Sequence, residues 1–151
     1  MVVLNEGDKA PAFTAKDQDG NSVSLKDFKG KKVILFFYPQ DDTPACTQEV
    51  CNFRDNYKLL QSKGYVLLGV SPDSSESHQK FISKFKLPFT LLADEKMKVI
   101  NAYGVWGPKK LYGREYEGLI RKTVVIDEND KIGKIVQRVL TKKATEQVLK
   151  P

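Results

Sequence analysis

Six apolar residues in a row, Val33-Ile34-Leu35-Phe36-Phe37-Tyr38, are stopped by Pro39 and followed by the polar loop Gln40-Asp41-Asp42. A run rich in β-branched and aromatic residues, with no alternation, predicts a strand buried on both faces and central in a sheet. Thr43-Pro44 then predicts a helix start, with Thr43 as N-cap and Pro44 at the first helical position, where its missing N–H costs nothing. Cys46 falls in the first turn of that helix and Cys51 five residues later. These are both cysteines of the chain.

First-turn N–H groups lack intrahelical partners, and the helix dipole adds partial positive charge there. An ionised sulfur is stabilised at such an end. The Thr43 hydroxyl is within reach of that sulfur or of a molecule bound to it. Asp41 and Asp42 oppose a negative sulfur, so a cation from elsewhere in the chain is expected. Five helical residues separate the Cys46 and Cys51 Cα atoms by roughly 8.6 Å, whereas a disulfide needs about 7 Å or less. The spacing therefore does not suit a static staple. It suits a reactive cysteine whose second thiol arrives after a conformational change. Two buried apolar cysteines are the plainer reading of the count alone. A zinc site is disfavoured, because two cysteines and one histidine fall short of four ligands. No C-x-x-C pair is present.

The segment Tyr38-Pro39-Gln40-Asp41-Asp42-Thr43-Pro44-Ala45-Cys46-Thr47 resembles the peroxiredoxin signature. Glu49 and Cys51 resemble the atypical two-cysteine branch called bacterioferritin-comigratory protein, or PrxQ. The resemblance implies that Cys46 is the peroxidatic cysteine and Cys51 the resolving one. It also implies that Pro39 shields the sulfur and that Glu49 joins a polar network beside it. Gln40 stands where this branch carries lysine, and Ala45 where it carries glycine.

The remaining elements alternate. Ala12–Ala15 and Asn21–Ser24 flank Asp17-Gln18-Asp19-Gly20 and predict an N-terminal hairpin, and Leu25–Phe28 a helical turn. The cysteine helix is expected to run to Gly64. Tyr65–Val70 predicts a second buried strand, so strand, helix and strand imply a parallel crossover. Asp73-Ser74-Ser75-Glu76 has capping-box form with Asp73 as N-cap, opening a helix with Phe81, Ile82 and Phe85 on one face. Pro88–Leu92 predicts a strand, and 96–103 a helix. Trp106–Gly118, with Gly107, Pro108, Gly113 and Gly118, predicts a long loop, and Trp106 a core anchor or a wall of the site. Thr123–Ile126 and Ile132–Val136 predict a hairpin, and Ala144–Leu149 a closing helix. The pattern is α/β with a central mixed sheet flanked by helices. In order of elements it resembles a thioredoxin-like fold with an N-terminal β-hairpin extension, over one domain spanning 1–151.

The chain has four arginines, Arg54, Arg114, Arg121 and Arg138, of which Arg121 is the first candidate for the missing cation and Arg54 the second. Arg121-Lys122-Thr123 before Val124-Val125-Ile126 resembles the family's arginine motif, and a guanidinium there holds its charge and offers fixed donors. Arg54-Asp55 reads as an ion pair. His78, the single histidine, reads as a surface residue.

Net charge is +6, from 25 basic and 19 acidic residues. The lysines are scattered, and Lys31-Lys32, Lys109-Lys110 and Lys142-Lys143 are isolated pairs, so a solvated surface is expected rather than a nucleic-acid interface. Met1-Val2-Val3-Leu4 is too short for a signal peptide, and no run reaches membrane-spanning length. Two cysteines do not make a secreted disulfide scaffold. The expected compartment is the cytoplasm, although a processed organellar protein would read the same. The resemblance implies a monomeric thiol peroxidase acting on hydrogen peroxide and organic hydroperoxides through a sulfenic acid and an intramolecular disulfide. It further implies recycling by thioredoxin or a similar dithiol, and no metal or organic cofactor. A thiol–disulfide oxidoreductase and a disulfide-based redox sensor are the alternatives.

Overall fold

The computed structural model describes residues 3–151. Met1 and Val2, where the apolar start of the chain begins, lie outside the described residues. Seven strands form a mixed sheet in the order β2-β1-β5-β4-β3-β8-β9. In chain order the strands are β1 Thr14–Lys16, β2 Ser22–Ser24, β3 Lys32–Phe37, β4 Tyr65–Ser71, β5 Thr90–Ala93, β6 Trp106–Leu111, β7 Arg114–Leu119, β8 Lys122–Ile126 and β9 Ile132–Val136. The helices are α1 Pro44–Asp55, α2 Tyr57–Ser62, α3 Ser75–Phe85, α4 Lys98–Ala102 and α5 Ala144–Leu149.

The run of apolar residues explains the centre of this sheet. β3 pairs in parallel with β4 and antiparallel with β8, so both of its edges are covered. Its side chains alternate between two cores. Val33, Leu35 and Phe37 join Val99, Ile100 and Tyr103 from α4 and its end. Ile34, Phe36 and Tyr38 join Cys46, Val50 and Phe53 of α1, Leu60 of α2, Phe81 of α3 and Val148 of α5. The Phe36 ring lies 4.8 Å from that of Phe53, fixing α1 across the end of β3. Burial of a side chain of this size contributes about 1.5–3 kcal/mol. At Gly69 on β4 the packing leaves no room for a side chain, since an added Cβ would sit 2.6 Å from both Leu91 Cδ2 and Phe36 Cζ.

Several sequence-based boundaries change. The cysteine helix breaks at Asn56 into α1 and α2 before stopping at Gly64, where φ is 85°. Ser74, not Asp73, caps α3 and accepts from the Ser77 N–H at 3.1 Å. Asp73 is engaged elsewhere, accepting from the Asp41 N–H at 2.7 Å and the Ser71 hydroxyl at 2.9 Å.

The larger correction is the segment read as a loop. Trp106 to Leu119 is a two-stranded antiparallel hairpin, β6–β7, closed by Tyr112-Gly113 with φ of 51° and 79°. Two central residues with positive φ make the type I′ turn that suits a hairpin. Residues 111–117 are exposed, so no buried face imposes the alternation by which a strand is recognised. Trp106 is half-buried, packed against the α4-side core. Among the described residues no helix is long and apolar enough to cross a membrane.

Candidate active site

Cys46 is the third residue of α1 and is 1% exposed. Thr43 is the N-cap, with extended backbone at φ −99° and ψ 156°, and Pro44 begins the helix. The Thr43 carbonyl accepts the Thr47 N–H at 2.8 Å. The Thr43 hydroxyl, by contrast, donates to the Gln40 carbonyl at 2.9 Å. Its proton is engaged within the loop, and its lone pairs are what it can offer a bound molecule. Pro39 is half-buried where β3 enters the loop.

The cation comes from the far end of the chain. β8 runs antiparallel to β3 with Lys122 opposite Phe37, so Arg121 emerges where β3 feeds the loop to α1. Its Nη2 donates to Cys46 Sγ at 3.1 Å and its Nη1 to Glu49 Oε1 at 2.7 Å. Cys46 and Glu49 are three residues apart, on one face of α1, and a single guanidinium spans both. Arg54 pairs with Asp55 at 3.0 Å and donates to the Phe85 carbonyl at 2.9 Å, away from this cluster.

Glu49 is 0% exposed, and its Oε2 is the one buried side-chain oxygen or nitrogen without a partner among the described residues. Burial pushes its carboxyl up to about 7 from 4.5, and Arg121 only partly opposes that rise. Burial works against the Arg121 charge, but Glu49 and Cys46 outweigh it and hold Arg121 above its ordinary value. A further cation went unread in the sequence. Lys109, on β6, donates to the Leu119 carbonyl at 2.8 Å. Burial, then the charge of Arg121, lowers it from the ordinary lysine value, while Cys46 acts in the opposite sense. Reading 106–118 as a loop hid the strand that carries it.

Cys51 is reduced, half-buried and packed at the edge of the α1-side core. Both cysteines lie within the continuous helix α1. Asp41 and Asp42 carry less weight against the sulfur than their position implies. Asp42 is paired with Lys84 at 2.7 Å, and Asp41 accepts from Tyr38 and Ser77 and lies 2.7 Å from His78 Nδ1. His78 is thus not a surface residue. It is 0% exposed, held between Asp41 and the Leu92 carbonyl. Its place in α3, beside Phe81 and Phe85, was the signal available. Among the described residues no group of three or more His, Cys, Asp or Glu side chains is placed to hold a metal ion.

The AhpC/TSA family profile matches residues 6–135. A putative peroxiredoxin bcp of Coxiella burnetii is 49% identical over 136 residues, covering 90% of this chain and 90% of that protein. Peroxiredoxin Bcp of Bacillus subtilis is 43% identical over 148 residues, covering 98% and 94%. Among solved structures, a cysteine-to-serine mutant of Xylella fastidiosa PrxQ superposes with a TM-score of 0.91 at 26% identity, covering 99% of this chain and 95% of that one. A bacterioferritin comigratory protein of Xanthomonas campestris, described for its alkyl peroxide reduction activity, superposes at 0.85 with 27% identity, covering 91% and 87%.

Proposed function

The chain belongs to the AhpC/TSA family as a peroxiredoxin of the Bcp/PrxQ type, a peroxidase drawing electrons from thiols, and we propose that the Cys46 thiolate is the atom that attacks the peroxide. The observation that carries this reading is the 3.1 Å contact from Arg121 Nη2 to Cys46 Sγ in the first turn of α1. The sulfur attacks the terminal oxygen of the peroxide. A sulfur–oxygen bond forms, the oxygen–oxygen bond breaks, and water or an alcohol leaves once the departing oxygen takes a proton. Cys46 becomes a sulfenic acid.

Charge moves from sulfur to the departing oxygen during this step. Arg121 spans the site with donors that need no reorganisation, the condition under which electrostatic stabilisation is strongest. With its own proton on Gln40, Thr43 accepts the peroxide O–H and so orients it. Pro39 keeps solvent from the sulfur. Glu49 holds Arg121 in place and, with its carboxyl near 7, can take up or release a proton beside the reaction at neutral pH.

Cys51 then attacks the sulfenic sulfur, water leaves, and a Cys46–Cys51 disulfide forms. Helical spacing of roughly 8.6 Å forbids that bond until α1 unwinds. Thioredoxin or a similar dithiol reduces the disulfide. Both sulfurs lie on one helix, so the cycle needs one chain only, and a monomer in a reducing cytoplasm suffices. Hydrogen peroxide and organic hydroperoxides are the substrates. The alkyl peroxide activity described for the Xanthomonas campestris relative supports the second class.

Stopped-flow peroxide reduction on three proteins tests the scheme. Cys46→Ser should consume no peroxide. Cys51→Ser should consume about one equivalent per chain and accumulate sulfenic acid, which then over-oxidises. Full steady turnover with thioredoxin in Cys51→Ser would overturn the assignment of the resolving thiol.

A further inference from the structure

His78 has no part in the peroxide chemistry, yet it is fully buried and both of its ring nitrogens face acceptors. Nε2 lies 3.0 Å from the Leu92 carbonyl oxygen, and Nδ1 lies 2.7 Å from Asp41 Oδ2. A carbonyl oxygen only accepts, so Nε2 carries a proton. If Nδ1 carried none and Asp41 were ionised, two lone pairs would meet at 2.7 Å in a dry interior. The pair therefore holds one proton more than a neutral imidazole and a carboxylate.

The other groups around it agree. Tyr38 OH donates to Asp41 Oδ1 at 2.6 Å and stands 3.5 Å from His78 Nδ1. On α3 itself, Ser77 Oγ donates to Asp41 Oδ2 at 2.7 Å. From β5 the partner is the uncharged Leu92 carbonyl. The Asp73 carboxylate accepts from the Asp41 N–H at 2.7 Å. Tyr38 and Ser77 thus donate one to each Asp41 oxygen, and the shared proton of the pair closes the remaining contact with His78 Nδ1.

Asp41 lies two residues before the N-cap of α1 and five before Cys46. The same helix that carries His78 also holds Asp42, through Lys84 at 2.7 Å, and the last turn of α1, through the Phe85 carbonyl to Arg54 at 2.9 Å. Of these contacts, His78–Asp41 is the fully buried one that depends on a proton. We propose that His78 is a positioning residue for the peroxidase: its ring clamps Asp41 and the loop that sets the first turn of α1, and losing that clamp favours the unwound α1 in which Cys46 meets Cys51. The inference rests on the peroxidase reading above.

Two substitutions in the reduced protein test the clamp, without peroxide. His78→Leu removes the partner of Asp41, whereas His78→Asn keeps an amide donor for it. The Asp41 amide, which reports the loop, should shift in ¹⁵N NMR of His78→Leu and stay close to its wild-type position in His78→Asn. Disulfide formation in the oxidised protein should be roughly tenfold faster in His78→Leu, the order expected for loss of one charge-assisted hydrogen bond, and close to wild type in His78→Asn. The proposal is overturned if the Asp41 amide is unmoved in a folded His78→Leu, if His78→Asn behaves as His78→Leu does, or if disulfide formation is equally fast in all three proteins. The amide shift is read without turnover, so failure of the clamp and failure of the peroxidase scheme remain distinguishable.

Discussion

Replacing Glu49 with glutamine should stabilise the protein at alkaline pH and leave its stability nearly unchanged in acid. In the folded chain the Glu49 carboxyl sits at about 7 against an ordinary 4.5, because burial disfavours its charge more than Arg121 supports it. A raised value means that folding favours the protonated form. The associated stability is complete below about pH 4.5 and is lost as pH rises through 7. At about 1.4 kcal/mol per pH unit, charging this carboxylate costs the folded state about 3 kcal/mol by pH 8. Glutamine keeps an oxygen for Arg121 and cannot ionise. The stability difference, Glu49→Gln minus wild type, should therefore grow by about 3 kcal/mol between pH 4.5 and 8. For an m-value of about 2 kcal/mol/M, that is a shift of about 1.5 M in the urea midpoint. The assay is urea unfolding of the reduced protein at several pH values, followed by the fluorescence of the single tryptophan, Trp106. Groups far from Glu49 titrate alike in both proteins and cancel in the difference. A difference that stays flat with pH, or one that shrinks as pH rises, would refute the reasoning, since it would mean that Arg121 compensates the buried charge in full.

Arg121→Ala should slow peroxide reduction by about 10²–10³-fold, the usual consequence of removing one preorganised donor, and Arg121→Lys should not restore it, because an ammonium cannot span Cys46 and Glu49 as a planar fork does. Parallel urea curves separate this from loss of fold. On oxidation, amide exchange should rise through residues 43–54 and also at 141–145, because Thr145 donates to Asn52 Oδ1 and Thr141 to Gln48 Oε1 across to α1; β3 should stay protected. Equal protection of α1 in both redox states, with the Cys46–Cys51 bond verified by mass spectrometry, would exclude the unwinding step. Gly69→Ala should cost about 1–3 kcal/mol through overpacking, since its Cβ would press on Leu91 and Phe36. An unchanged urea midpoint would show that the sheet yields there freely.

By itself the sequence determined what local forces decide. The unbroken apolar run required a strand covered on both faces, and β3 is that strand, with β4 and β8 on its edges. Thr43-Pro44 started α1 where the ring of proline favours it, placing Cys46 in the first turn, although the Thr43 side chain caps no N–H. Polar turns marked the β1–β2 and β8–β9 hairpins, the second of them between apolar strands. The tertiary structure decided what depends on residues distant in the chain. Arg121 was readable as a candidate, but only the antiparallel register of β8 against β3 sets its guanidinium on both Cys46 and Glu49. The β6–β7 ribbon was hidden because its exposed strands carry no buried periodicity. Thr43 had a choice of acceptors, and the curl of the loop turned its hydroxyl to Gln40. His78 was read as exposed because a polar side chain on a helix is exposed unless something satisfies it. Two acceptors did so, the Asp41 carboxylate 37 residues earlier and the Leu92 carbonyl 14 residues later, and no local pattern can announce partners that packing alone brings together.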